Sequence, residues 1–333
     1  MDKKDKNTED IDDIISEIDE NMEGTETTAN KIIKTAVKYI KDLQKQKTFT
    51  TAEGIEKLKF IDKYSWPNTW QDQQARTHYF QKLTKIGIVD FFKQIWEEYF
   101  PHLNLEGKVD ESTQDDEEAA YQAVCSITGA MWNGTSQCHE LREAVLLLNV
   151  DKLLVDALDS PNMKNENGLS PRSSSLMLAI TAIINNCLVF GNEDKSRRHR
   201  LREHGAVNKL KPYLDKSEEL FQFNVLNTLS KLMDEDESSE VVEKVDCIKL
   251  LITLLKDTYS GKGFTVWKSY DPTDEARTMS IGLGSVMHVI NLLATTENNK
   301  VFININCMFF CLFFVVVLLL LLLFLFLFWF FVF

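Results

Sequence analysis

The chain has 333 residues, 44% of them hydrophobic and 26% charged, with a formal net charge of −13. That acidity excludes a non-specific nucleic-acid binder, which needs a basic face to neutralise phosphates. With 13 glycines and 6 prolines, the chain has too few turn residues for a sandwich or barrel, which leaves helices.

Residues 1–28 are acidic and polar. They bury too little apolar surface to offset ordering, so disorder is expected there, with Ile11, Ile14, Ile15 and Ile18 able to form at most a weak amphipathic turn or two. The start, MDKKDKNTEDIDD, has no apolar core, so no secretory signal is expected. From Ala29 a helical period sets in, with Ile32, Ile33, Val37, Ile40 and Leu43 on one stripe. Helices are expected at 53–64, 71–85 and 87–100, the last (GIVDFFKQIWEEYF) as core. An acidic loop follows at 104–118. Further helices are expected at 117–131, 137–158, 174–190, 197–214, 218–233, 238–257 and 276–294, with polar inserts near 160–174 and 259–277. No strand alternation competes. Cys125, Cys138, Cys187 and Cys247 fall in apolar helical patterns and are read as reduced core residues of a cytosolic fold. On that reading the sequon Asn133-Gly134-Thr135 is coincidental.

One unit repeats. In 199–240 a helix enters through the small-residue anchor Gly205-Ala206-Val207 and runs to Leu210 and Leu214. A second helix then carries Phe221, Val225, Leu226, Leu229 and Leu232. Asp246-Cys247-Ile248 takes the anchor place 41 residues on, followed by Leu251 and Leu255. Upstream, Gly87-Ile88-Val89 and Asn149 supply further anchors, at spacings of 62 and 56 that are one period plus an insert. These residues resemble armadillo repeats. The resemblance implies an all-α fold: an α-α superhelix (armadillo-like solenoid) over 29–300, four units across 80–257 and a degenerate cap at 29–80. It also implies a non-catalytic scaffold that binds a protein partner along its groove. Asn186, Asn227 and Lys231 are the candidate groove residues. Importin-like arrays carry regularly spaced Trp and Asn on their inner helices. Here Ser230, Lys231 and the irregular tryptophans break that pattern and argue against binding nuclear-localisation peptides.

Catalytic constellations are poor in the sequence, and no enzyme, cofactor, metal or small-molecule substrate is expected. The six histidines (His78, His102, His139, His199, His204 and His288) have no metal-ligand spacing. Cys138 and His139 are adjacent, so on a helix they point apart. Ser260-Gly261-Lys262-Gly263 lacks the phosphate-loop order and reads as an insert. Nearby Phe264, Trp267 and Tyr270 are read as folding onto the array rather than as a partner-binding loop. The concentrated basic patch is Lys195, Arg197, Arg198, His199, Arg200 and Arg202. It is either an anion or acidic-peptide site, or a solvated loop balanced by Glu193, Asp194 and Glu203.

Residues 301–333 carry no charge and are long enough to cross a bilayer as a C-terminal single apolar helix. Two readings stand. The tail anchors a cytoplasmic solenoid in a membrane, or it is a gene-model artefact that begins where the next helix of the array was due. Under the second reading the chain is the regulatory armadillo region of a larger signalling protein. Similar arrays precede Toll/interleukin-receptor domains, some of them NAD hydrolases.

Overall fold

The computed structural model describes residues 28–105, 114–163, 169–188, 194–214, 219–244, 247–260, 264–265, 278–279 and 283–294. It is helical, as the periodicity predicts, with fourteen α-helices among the described residues. They are α1 (Thr28–Gln46), α2 (Ala52–Lys63), α3 (Gln73–Lys85), α4 (Ile88–Tyr99), α5 (Gln114–Gln137), α6 (His139–Leu147) and α7 (Val150–Ala157). There follow α8 (Pro171–Leu188), α9 (Asp194–Glu203), α10 (Ala206–Leu210), α11 (Glu219–Leu232), α12 (Glu235–Lys244), α13 (Cys247–Tyr259) and α14 (Leu283–Leu293). Three stretches expected as single helices, 137–158, 197–214 and 238–257, are each two helices. Two further differences are the two-residue strands β1 (Phe264–Thr265) and β2 (Thr278–Met279), a ribbon too short to leave an alternating signal in sequence.

The breaks fall at the anchors. Gly87 (φ 82°), Asn149 (φ 56°) and Gly205 (φ 80°) are in the left-handed region, each at the N-terminus of a new helix. Glycine adopts that conformation without strain, and asparagine is among the few residues that tolerate it. The hydrogen bonds at the three corners are the same. The anchor N–H donates to the carbonyl three residues back: Gly87 to Thr84 (3.1 Å), Asn149 to Leu146 (3.2 Å) and Gly205 to Arg202 (2.9 Å). The anchor carbonyl accepts from the N–H four residues on: Phe91 (3.0 Å), Leu153 (3.4 Å) and Lys209 (3.1 Å). The left-handed residue halts one helix and starts the next in a new direction. The fourth anchor, at Asp246, lies outside the described residues.

Each corner is followed by a third helix, which groups α3–α4–α5, α6–α7–α8 and α9–α10–α11 into triplets. Other boundaries are capped by side chains. Thr51 Oγ1 accepts from the Gly54 N–H (3.1 Å) at the start of α2, and the Asp72 carboxylate accepts from the Gln74 N–H (2.9 Å) at the start of α3. Asp234 and Glu237 cap α12 reciprocally. Asp234 accepts from the Glu237 N–H (3.0 Å), and Glu237 accepts from the Asp234 N–H (3.1 Å).

The chain divides into two compact units, Met1–Thr228 with Thr265–Arg277, and Leu229–Phe264 with Thr278–Phe333. In the first unit α5 packs on α2 and on α8. Residues 123–135 of α5 and 176–184 of α8 are buried throughout, so these stretches are covered on every side. That is why their sequences show no polar stripe. Around them pack α4 on α5, α3 on α6, and α9 on both α7 and α8. The aromatic run expected as core is core: Phe91, Phe92, Ile95 and Trp96 are buried, and Trp96 stacks on Phe100 at 4.2 Å. In the second unit α12, α13 and α14 pack pairwise, with Val241, Leu251, Leu254, Val286, Val289 and Leu293 buried. No helix among the described residues is long and apolar enough to cross a membrane. The acidic start and the apolar tail at 301–333 lie outside the described residues, as do Trp267 and Tyr270.

Candidate binding surface

The basic patch forms α9, and the structure uses two of its arginines internally. Arg197 is buried and pairs with Glu143 of α6. Arg200 reaches the start of α7. Its Nε donates to Asp151 Oδ2 (2.6 Å), and its Nη2 donates to Asp151 Oδ1 (2.8 Å), Asn149 Oδ1 (2.9 Å) and the Leu146 carbonyl (2.7 Å). The Asp151 bond holds the Arg200 guanidinium above its usual range. His204 Nε2 stands 3.5 Å from the same carboxylate. Asp151 is 1% exposed and follows its anchor by two residues, the place filled by Val89 and Val207 at the other corners. One triplet therefore carries a buried carboxylate where its siblings carry valine, and the next triplet answers it with an arginine. Of the remaining cations, Lys195 is exposed, and Arg198 and Arg202 are half-exposed. The acids that pair with α9 thus include Glu143 and Asp151, besides the neighbouring Glu203 that meets His199 at 3.3 Å.

Asn186, expected in the groove, sits half-exposed near the C-terminal end of α8. Its Nδ2 donates to Thr135 Oγ1 (3.1 Å) and to the Trp132 carbonyl (3.2 Å) at the end of α5. Asn133 repeats the arrangement one triplet earlier: its Nδ2 donates to Ser65 Oγ (3.0 Å), just past α2. Arg76 closes this corner through Nε to the Ser65 carbonyl (2.9 Å) and Nη1 to Gln137 Oε1 (3.2 Å), and burial pulls its guanidinium down to about 10. Trp66, half-exposed, meets Trp132 edge-on at 6.4 Å. The C-terminal ends of α2, α5 and α8 thus form a lip of asparagine, glutamine and tryptophan side chains. Asn227 and Lys231 are half-exposed, one turn apart on α11. The sequence pairs Asn186 with Asn227; the structure shows that Asn133 and Asn186 play the same part.

A second basic face escapes a reading by linear density. Lys31, Lys34, Lys38, Lys41 and Lys45 recur along α1 at spacings of three and four, which places them on one side of the helix, away from buried Ile33, Ala36, Val37, Ile40 and Leu43. Helical periodicity is the signal that finds it. Beside it run half-exposed aromatics in contact: Tyr39 on Phe60 (5.2 Å), Phe60 on Tyr64 (4.6 Å) and Tyr64 on Trp70 (6.4 Å). Lys57 and Lys63 lie over the Tyr39 and Tyr64 rings.

The nucleophile inventory is subdued. Burial pushes the Cys125 and Cys187 thiols up to about 12 and the Cys138 thiol up to about 11, so all three stay protonated at neutral pH. Cys138 Sγ donates to Glu140, and His139 faces Glu143 instead. No group of three or more His, Cys, Asp or Glu side chains is placed to hold a metal ion among the described residues. No protein-family model matches the chain, and the curated proteins contain no match to it.

Proposed function

We propose that the chain is a protein-binding scaffold built as an armadillo-like array, acting by binding rather than by catalysis. The observation that carries this reading is the recurrence of one left-handed corner, with the same hydrogen bonds, at Gly87, Asn149 and Gly205. Repeated triplets of this kind cannot cover their own apolar faces, so they stack, and stacking aligns equivalent positions into an extended surface. In the first unit the aligned positions are the C-terminal ends of the third helices α5 and α8 and of α2, which precedes the first triplet. An extended peptide segment would lie across Trp66, Gln137 and Asn186, held by amide hydrogen bonds and aromatic contact. Gln137 is held by Gln73, Arg76 and Thr77, and Asn186 Nδ2 by Trp132 and Thr135, which leaves the Asn186 side-chain carbonyl and one Gln137 amide hydrogen to meet a peptide backbone.

The test is a random-peptide display selection on the full chain. Enriched peptides are then measured against Ser136→Arg, which plants a bulky side chain on this lip at an exposed position, and against Lys152→Glu, an exposed control on α7. The proposal expects S136R to weaken binding about tenfold or more, or at least ~1.4 kcal/mol, while K152E leaves it intact. Peptides indifferent to S136R, or failure to enrich any peptide, would refute it.

A further inference from the structure

We infer that the lysine face of α1, with the aromatic strip beside it, is the docking site of the chain's own acidic segment, residues 9–20. This face and the third-helix lip are different surfaces, and neither reading depends on the other.

The argument begins with charge. α1 carries five lysines against one acid, Asp42, in a chain whose net charge is −13. Lys31, Lys38 and Lys45 are exposed at intervals of seven, with Lys34 and Lys41 half-exposed between them. A face of five lysines is complementary in charge to an acidic segment. Segment 9–20, EDIDDIISEIDE, carries seven acids and no base.

The second link is apolar. Ile11, Ile14, Ile15 and Ile18 fall at i, i+3, i+4 and i+7, a spacing that lines them up on one side if the segment is helical. On α1, Ile32 and Tyr39 are half-exposed at the border between the buried stripe and the lysines. Phe60, Tyr64 and Trp70, each half-buried, continue that border. A helix laid along the border sets its isoleucines on these rings and its carboxylates beside the lysines. Either half of the match alone would be generic. Together, in adjacent strips on both partners, they select an acidic amphipathic helix.

The third link is reach. Residues 21–27 connect the segment to Thr28, the first residue of α1. Seven residues span at most ~23 Å extended, whereas packed helices need an axis separation of about 8–10 Å. Twelve residues in a helix are ~18 Å long, shorter than the 19 residues of α1, so the segment fits antiparallel along it. Tethering raises its effective concentration to the millimolar range, which favours it over the same chemistry offered by another molecule.

The test uses the full chain and three variants. The first, Lys31→Glu with Lys38→Glu and Lys45→Glu, reverses the face. The second, Asp12→Lys with Asp13→Lys and Glu17→Lys, reverses the segment. The third carries all six changes and exchanges the charges. Amide hydrogen exchange within residues 9–20 is expected to be slowed about tenfold or more in the wild-type chain, fast in each triple variant, and slowed again in the charge-exchanged chain. Carbodiimide cross-linking of mixed light and heavy isotope-labelled chains is expected to join α1 lysines to residues 9–20 within single chains. Unprotected amides in the wild-type chain, or no rescue by charge exchange, would overturn the inference. Links found only between light and heavy chains would make a second copy the occupant. If the wild-type chain sediments with phosphatidylserine vesicles, the lysine-reversed chain does not, and no link to residues 9–20 forms, the face binds lipid and the inference is wrong.

Discussion

The carboxylate at the second corner gives the sharpest stability prediction. Asp151 is 1% exposed and stands where Val89 and Val207 stand in the sibling corners. Arg200 meets it with two bonds, at 2.6 and 2.8 Å. Arg200→Leu leaves the carboxylate buried with only His204 at 3.5 Å. Removing one partner of a buried pair costs about 3–5 kcal/mol. The Arg200 side chain is 33% exposed, so water partly replaces it and the lower end, ~3 kcal/mol, applies. Asp151→Val alone should cost less, about 1 kcal/mol, because the freed guanidinium can turn to solvent. The double variant D151V/R200L rebuilds the corner in the chemistry of its siblings. It should fall within ~1 kcal/mol of wild type, since apolar replacement of a buried pair is often neutral or stabilising. Urea unfolding followed by circular dichroism measures all three. If R200L costs under 0.5 kcal/mol, or if the double variant costs as much as the sum of the singles, the pair is not a coupled lock between triplets and the reasoning fails.

Other predictions follow from the same geometry. Gly87→Val and Gly205→Val force a branched side chain to φ near 80° and should each cost ~2 kcal/mol or more in urea unfolding, whereas Asn149→Gly should be tolerated within ~1 kcal/mol. Gly54→Ala places a Cβ 1.8 Å from the Thr48 carbonyl oxygen, a backbone atom that cannot swing aside, so a loss of ~2–3 kcal/mol is expected. Iodoacetamide at pH 8, located by mass spectrometry, should leave Cys125, Cys138 and Cys187 unmodified until the chain unfolds, because burial both shields them and holds them protonated. The Glu140 carboxylate, at the start of α6, is held below its usual 4.5 by its own backbone N–H. Because the folded value is the lower one, its contribution is present above pH 4.5 and is lost as the pH falls through the lowered value. The stability difference between wild type and Glu140→Gln should therefore shrink in acid and persist at pH 7.

The corners were legible in the sequence because Gly87, Asn149 and Gly205 are of the types that favour the left-handed region and each is followed by an apolar helical period; Lys47, at φ 51°, takes the same conformation and carries no such mark. The helices were legible in type but not in number. A corner of one residue does not interrupt the apolar period, so helices that meet at Asn149 or Gly205 read as one. The pairing of α9 was only partly legible. The bond from Arg200 to Asp151 spans 49 residues and that from Arg197 to Glu143 spans 54, while sequence proximity offers Glu193, Asp194 and Glu203 instead. The role of Asn133 was hidden for a similar reason, since its partner Ser65 lies 68 residues away. The lysine face of α1 was present in the sequence throughout, but as a period rather than a run.

The central claim is that the buried stretches of α5 and α8 form the spine on which the surrounding helices of the first unit are hung. Native-state hydrogen exchange of the full chain tests it most directly. The spine predicts the slowest amides in 123–135 and 176–184, the stretches buried on every side. It also predicts that R200L speeds exchange in α9 and α10 well before α5. Slowest exchange elsewhere in the first unit, or uniform loss of protection across it in R200L, would contradict that claim.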